Sequence, residues 1–529
     1  MIYLKDMQGF EMTNKLKTYS NYIKDPLALF YDLTKDNKNN ILFESSEIDT
    51  KAGTKSMLGI RSALRITSLD NIVTIKVLNN NGRAVVNNLL KVIREDQNTE
   101  IIKEEDLVLI KYTKIDTKLD EDTRLKSITT LDTLRKILKT TPIHGSFEDV
   151  MLAGVFGYDL VAQFEELPEV KMGTNTCPDY CFYLLDTIIN IDHKSKNSQI
   201  KCISYTNEAT DSLLNTINEL KNKLDNYIEV EKPKEISIHG EKMDVNVSDK
   251  KFTKIVNSLI ENIYKGDIFQ AVPSRTFSIK CPSPINAYHT LKQTNPSPYM
   301  FYMNDEDFII FGASPESSIK YTNSIREVEM YPIAGTRKRI FKENGQIDYD
   351  LDTRIELDLK KDEKENAEHL MLVDLARNDI AKISEAGTRH VKKLLNVDRY
   401  SHVMHLVSNV CGTLRKDLDA IHAYTACMNM GTLTGAPKIK ATELIRNLGL
   451  SLFFVGTGIP AGIQLSRGIN CKMILYGMLM TIIPIMIGWF CCLRHKIEAL
   501  SINLRLIPSF KLQKMLICRY SKQFIKMTL

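Results

Sequence analysis

The chain has 529 residues, 43% hydrophobic and 26% charged, with a formal net charge of +5; this is more length than one ordinary domain of roughly 100–200 residues needs, and the composition excludes disordered and fibrous classes. The charge is unevenly shared: residues 448–529 hold ten Lys or Arg against the single acid Glu498, while the first 447 carry 60 basic and 64 acidic residues, a net of −4. An acidic body without a basic stripe argues against nucleic acid as a partner, because counterion release needs clustered Lys and Arg.

The opening stretch, MIYLKDMQGFEMTNKLK, has neither the basic n-region nor the apolar h-region of a signal peptide. It predicts a cytoplasmic chain whose cysteines stay reduced. From about residue 27 to about 205, short apolar runs read as strands: ILF at 41–43, TIKVL at 74–78, LVLI at 107–110 and TIINI at 187–191. Helical spacing recurs between them and is clearest at 209–226. Six cysteines fall in the body at 177, 181, 202, 281, 411 and 427, and four in the tail. The nearest pair, Cys177 and Cys181, lacks the second pair a tetrahedral zinc site requires.

Residues 228–247 are polar, charged and interrupted by Pro233, and mark a boundary. A helix follows with Phe252, Ile255, Leu259 and Ile263 on one stripe and Gly266 at its end. A second helix is predicted over about 362–383, with Leu372, Ala376, Ile380 and Ile383 as its apolar face and Gly387 beyond it. After about Arg446 the acids nearly vanish, the one tryptophan, Trp489, appears, and Met473–Leu493 forms an uncharged apolar run followed by Arg494, His495 and Lys496. About 20 such residues suffice to span a bilayer.

Several residues have chemistry to offer. Glu365 and Glu368 share one helical face and present hard oxygens suited to Mg²⁺; from spacing alone an exposed, solvated pair is the commoner reading. His405 sits in a strand-like alternation as a general acid or base, or as a satisfied core histidine. GAS at 312–314, AGT at 334–336 and GTLTGAPK at 431–438 read as short loops whose backbone N–H groups and hydroxyls suit an anion, and none has Walker spacing.

The order of the longer motifs is specific. LFESSEID, GDIFQAVPSR, NPSPYMFYM, GASPE, PIAGTRKR, AEHLMLVDLARND, DRYSHVMHLVS and GTLTGAPKIKA follow one another over about residues 10–446. In this the chain resembles the component I subunits of anthranilate synthases, within the chorismate-utilising enzymes. The resemblance implies an α+β fold of two-layer antiparallel sheets flanked by helices, its two domains interleaved: a regulatory domain at 1–230, a linker at 231–247 and a chorismate-binding domain at 248–447. It implies conversion of chorismate and ammonia to anthranilate and pyruvate with Mg²⁺, the ammonia coming from a glutamine amidotransferase subunit in a heteromer, and feedback inhibition by tryptophan.

Carried over by position, Glu368 is a metal ligand and Glu365 a support or further ligand. Gly335 and Thr336 belong to the chorismate-binding loop, His405 serves pyruvate elimination, and Thr432 lies in a loop at the pocket. Ser45, Pro298, Tyr299 and Met300 match the tryptophan pocket, although Tyr299 and Met300 taken alone read as core. Water-using relatives carry a lysine where this chain has Gln270, and aminodeoxychorismate synthases often carry one where it has Ala334. Both absences point to ammonia as the nucleophile, with aminodeoxychorismate synthase as the rival reading.

After KIKATELIRNL the family's glycine-rich segment, Arg-bearing strand and second metal-binding glutamate are not recognisable. The expectation is that residues 448–529 are read out of frame, leaving the carboxy-terminal part of the fold disrupted and the activity in doubt, with a catalytically dead or membrane-tethered relic as a further rival. On that reading the apolar run is an accident of frame rather than a membrane anchor. Nucleotide sequence with no family carboxy-terminus in any downstream frame would remove the idea.

Overall fold

The computed structural model describes residues 14–35, 37–45, 55–93, 99–141, 150–169, 177–228, 243–448 and 456–457. Twelve strands among them form one antiparallel sheet. Its long central strand, Tyr180–Asp192 (YCFYLLDTIINID), pairs with Lys55–Leu69 on one side and with Met151–Phe156 and Asn197–Ser204 in succession on the other. Because side chains alternate faces along a strand, Tyr180, Phe182 and Leu184 enter one core with Leu64, Ile66 and Leu134. Cys181, Tyr183 and Leu185 enter another with Ile41, Ala153 and Met303. A strand buried on both faces reads as a near-continuous apolar run, which is why this segment shows so few polar residues.

A hairpin from the second half of the chain, Tyr299–Asn304 with Ile309–Ser314, completes this sheet by pairing with Asn40–Glu44. Strands from both sides of the 231–247 segment therefore share one sheet. Its turn is clamped by Arg65 on Lys55–Leu69: the guanidinium donates to both oxygens of Asp305, at 2.9 and 2.7 Å, and to Asp307 at 2.6 Å. Tyr183 donates its hydroxyl to Asp305 from the neighbouring strand. The Arg65 and Tyr183 bonds hold the Asp305 carboxyl below its ordinary value against the opposing effect of desolvation, which is the largest single influence on it. Removing one partner of a buried pair leaves the other charge uncompensated, at about 3–5 kcal/mol. Arg65→Ala is therefore expected to destabilise by that amount, read as a shift in the urea midpoint; a change under about 1 kcal/mol would contradict the clamp.

The second sheet contains Lys320–Thr322, Glu327–Met330, Ile333–Lys338, His390–Arg399 and Val403–Thr413, all antiparallel. One face is covered by the helix Glu363–Ile383, whose stripe Leu372, Ala376, Ile380 and Ile383 is buried as the spacing predicts. Asp362 caps its start by accepting from the Glu365 N–H at 3.0 Å. The helix Asp249–Lys265 likewise ends on Gly266 in the left-handed conformation, with φ at 84°. The predicted strands at 41–43, 74–78, 107–110 and 187–191 fall within or overlap observed strands, and the helix predicted at 209–226 is Asn207–Asp225.

The three glycine-hydroxyl runs are corrected. GAS closes the strand Ile309–Ser314, AGT lies inside the strand Ile333–Lys338, and GTLTGAPK is a helical turn at Gly431–Thr434 followed by a short strand at Gly435–Ala436. AGT pairs with the distant strand Val403–Thr413 and Gly435–Ala436 with Gln270–Ala271, so there local composition favoured turns where tertiary pairing imposes strands, while GAS pairs within its own hairpin.

Among the described residues none of the six body cysteines forms a disulfide. No helix among the described residues is long and apolar enough to cross a membrane. The apolar run Met473–Leu493, Trp489 and most of the 448–529 segment lie outside the described residues, as does 229–242 of the boundary segment.

Candidate active site

The elements carrying the candidate residues pack against one another: the strands Ile333–Lys338 and Val403–Thr413 pair, and the helix Glu363–Ile383 lies against both. In the register of those strands Thr336 stands directly opposite His405. The Thr336 hydroxyl lies 2.8 Å from His405 Nδ1. Partial burial pushes the His405 imidazole below its ordinary value, partly offset by nearby Asp398 and by the Gly335 carbonyl. The neutral ring that results at neutral pH is a base. Tyr400 holds it from the side, its ring edge-on at 5.0 Å.

Gly335 is required for close approach. Its φ is +86°, and a Cβ placed there would lie 3.0 Å from Leu406 Cδ1 and 3.4 Å from Glu365 Cβ. The strand thus rests directly on the first turn of the Glu363–Ile383 helix. There Glu365 accepts from Arg337 at 3.1 Å, and the other branch of Arg337 reaches Asp362 at 2.6 Å. Glu368, one turn on, accepts from Gln270 Nε2 at 3.1 Å.

Gln270 is itself placed by a second glycine. It pairs with Ala436 across a short antiparallel bridge, and a Cβ on Gly435 would come within 2.2 Å of the Gln270 carbonyl oxygen. The helical turn bearing Thr432 is therefore fixed against Gln270, and Tyr158 reinforces it by donating to Thr434 at 2.9 Å.

Thr432 points to a residue that the sequence reading passed over. Its hydroxyl donates to Glu316 Oε2 at 3.3 Å, and the Ile333 N–H donates to Oε1 at 3.2 Å. Glu316 follows GAS closely, so its carboxyl joins the GASPE, PIAGT and GTLTG segments. Although it keeps a little solvent contact, desolvation by its dense surroundings pushes its carboxyl up to about 8. It is a carboxylic acid that still holds its proton at neutral pH.

Mg²⁺ fits the donor set. Glu365 and Glu368 offer hard carboxylate oxygens, and the Oε1 of Gln270 beside them is buried with no hydrogen-bond partner among the described residues. Among the described residues there is no cluster of three acidic, His or Cys ligands. Mg²⁺ needs no such cage, since it is held by one or two carboxylates and keeps water or substrate oxygens.

Ser45, Pro298, Tyr299 and Met300 gather at a different place, where Asn40–Glu44 meets Tyr299–Asn304. Met300 is paired with Glu44, the residue before Ser45, and is buried with Pro298, while Tyr299 is 41% exposed. Glu44 is held by Tyr288 at 2.9 Å and Lys292 at 2.5 Å. Tyr299 pairs across the hairpin with Ser314, two residues before Glu316.

This arrangement has close relatives. The sequence profile of the chorismate binding enzymes matches residues 89–451. The chain belongs to that family. It is 49% identical to anthranilate synthase component 1 of Vibrio cholerae over 434 residues, 81% of each chain. It is 46% identical to the Escherichia coli protein of the same name, over 83% of this chain and 84% of that one. Anthranilate synthase component I from Streptococcus pneumoniae has a similar structure, with a TM-score of 0.55 at 26% identity over 79% of this chain and 83% of that one. The menaquinone-specific isochorismate synthase of Escherichia coli shares the fold, with a TM-score of 0.56 at 13% identity over 85% and 82%. The mixed helix and antiparallel-sheet architecture is that of chorismate-utilising enzymes. The family match ends at residue 451, close to where the composition of this chain changes.

Within that family frame, Glu316 was open to recognition in the GASPE motif, but nothing local announces its burial. Arg337 and Tyr400 likewise sit in the motifs PIAGTRKR and DRYSHVMHLVS, and only tertiary contact reveals what they hold.

Proposed function

We propose that this chain is the synthase component of an anthranilate synthase, converting chorismate and ammonia to anthranilate and pyruvate at the start of tryptophan biosynthesis. The observation that carries the reading is identity of 46–49% to anthranilate synthase component 1 proteins along more than 80% of the chain. The geometry supplies groups with the right protonation for both halves of the reaction. Residues 248–447 form the chorismate-binding part and 1–230 the regulatory part.

Gly335, Thr336 and Thr432 border the place for the substrate. Ammonia adds at ring C2 while the ring double bond shifts and the C4 hydroxyl departs. Protonated Glu316 is the acid that lets that hydroxyl leave as water. Neutral His405 then takes the C2 proton, the ring becomes aromatic, and the C3–O bond breaks to release the side chain as enolpyruvate, which becomes pyruvate on protonation. Glu368, supported by Glu365, would hold Mg²⁺, which supplies Lewis-acid neutralisation of the ring carboxylate when bound. Gln270 is not a base and suits an already nucleophilic amine; Ala334 likewise offers no nucleophile, which weighs against the aminodeoxychorismate reading.

Ammonia would be delivered by a glutamine amidotransferase subunit, component II, within a cytoplasmic heteromer, and tryptophan would inhibit from the pocket at Ser45, Pro298, Tyr299 and Met300. The test is fluorescence of anthranilate from purified protein with chorismate, Mg²⁺ and excess ammonium, which bypasses the partner. Product is expected, and folded protein that yields none would overturn the reading. In the same assay tryptophan should inhibit, and Ser45→Ala should raise the half-inhibiting concentration about tenfold, the value of one hydrogen bond. Inhibition unchanged in Ser45→Ala would remove that residue from the pocket.

A further inference from the structure

The strand bearing Gly335 and Thr336 and the helix bearing Glu365 and Glu368 must keep a fixed separation if both are to address one small substrate. Backbone pairing cannot do this, because the helix satisfies its own hydrogen bonds. Arg337 crosses the gap at the first turn of the helix, to Asp362 and Glu365; beside Glu368 the side chain that crosses it is His369, which is fully buried. Its Nδ1 lies 3.2 Å from the carbonyl oxygen of Ala334, the residue before Gly335. Its Nε2 lies 2.6 Å from Ser408 Oγ on the strand Val403–Thr413.

The partners fix the tautomer. A carbonyl oxygen only accepts, so Nδ1 carries the hydrogen. Nε2 of the neutral ring then accepts from the Ser408 hydroxyl, and the Ser408 oxygen accepts the Leu395 N–H at 3.0 Å. Leu395 has a positive φ of 54° at a register shift of the strand His390–Arg399. Ser408 is in turn placed by its own N–H, which donates to the Pro332 carbonyl at 3.2 Å. Every donor and acceptor in this buried chain is matched, which gives the ring one orientation.

We propose that His369 is a positioning residue for the reaction, its Nδ1–H tying the chorismate-binding strand at Ala334 to the helix that carries Glu368. The proposal rests on the assignment of chorismate as substrate. The alternative is a histidine that only fills the core, and the two are separated by which nitrogen matters. His369→Asn can place an amide N–H where Nδ1 lies and keep the Ala334 tie. His369→Gln reaches toward the place of Nε2 and leaves Ala334 without a donor.

The experiment measures chorismate affinity by calorimetry, kcat and KM with ammonium, and melting temperature for wild type, His369→Asn, His369→Gln, His369→Ala and Ser408→Ala. His369→Asn is expected within about threefold of wild type, and His369→Gln and His369→Ala to lose about 10–100-fold, the usual effect of removing a group that orients a ligand-bearing residue. Ser408→Ala, which leaves the histidine in place but frees the ring, is expected to weaken chorismate binding severalfold and decides the matter should the His369 variants fail to fold. Equal losses in His369→Asn and His369→Gln that track their melting temperatures, or affinity unchanged in His369→Gln, His369→Ala and Ser408→Ala, would overturn the proposal. Wild type that binds chorismate yet makes no anthranilate would remove the proposed reaction alone, the affinity series still deciding the tie; wild type that does neither would remove both.

Discussion

Glu316→Gln is expected to lower kcat by about 10²–10⁴-fold, the range for loss of a positioned general acid, while leaving the fold intact. Glutamine keeps the shape and can still accept from Ile333 and bond to Thr432, but it has no proton to give the departing C4 hydroxyl. The pH profile separates this from a loss of packing. In wild type the carboxyl is pushed up to about 8 by desolvation, so the acid is present below that pH and lost above it. His405 is depressed below its ordinary value, again chiefly by desolvation, so the base is neutral and ready above that lower value. The kcat/KM profile should be bell-shaped, with its alkaline limb near 8. Glu316→Gln should lose the alkaline limb along with the rate; an unchanged limb would assign that ionisation elsewhere.

The same shift has a stability consequence of definite sign. The ordinary glutamate value is 4.5 and the folded one about 8, so between these pH values the folded chain holds a proton that the unfolded chain has released. Stability from this group is fully present below about 4.5 and falls as pH rises through the window toward 8. The amide introduced by Glu316→Gln cannot ionise. The variant should therefore show a flatter dependence of melting temperature on pH and exceed wild type above about pH 8, an inactive protein more stable than its parent.

That combination of lost activity and gained stability marks what was legible in the sequence and what was not. The apolar stripe at Leu372, Ala376, Ile380 and Ile383 and the cap at Gly266 follow from helical period and glycine chemistry, which act over a few residues. The apolar run TIINI within Tyr180–Asp192 is local in the same sense. The register that sets Thr336 against His405 is not, since the partners lie 69 residues apart and nothing local to either specifies the other. The AGT run reads as a loop for that reason, and the ionisation of Glu316 was invisible because it arises from the tertiary packing that desolvates it, against which the Ile333 and Thr432 hydrogen bonds pull the other way. Only the order of the motifs carried the site residues, as a resemblance, and it carried them without their contacts.

Glu368 and Glu365 illustrate the difference and lead to the second large effect. From spacing they are an equivalent pair, but their surroundings differ. Arg337 already occupies Glu365, as it does Asp362, so one of its oxygens is engaged by a fixed charge. Glu368 accepts from the neutral amide of Gln270, beside an amide oxygen with no donor of its own among the described residues. A carboxylate restrained by a neutral donor keeps its charge available for a cation, while one paired with guanidinium has much of it spent. Glu368→Gln is therefore expected to raise the Mg²⁺ concentration for half-maximal activity by about 100-fold, the upper end of the effect of losing a group that holds a metal, with activity partly restored by excess Mg²⁺. Glu365→Gln should cost about tenfold, the lower end of that range, acting through Arg337 and the placement of Gly335 on the helix. Titrating Mg²⁺ against anthranilate production, and against heat of binding in the absence of substrate, distinguishes the two. Equal shifts would make both carboxylates direct ligands, and the reverse order would mean that Arg337 yields Glu365 to the metal.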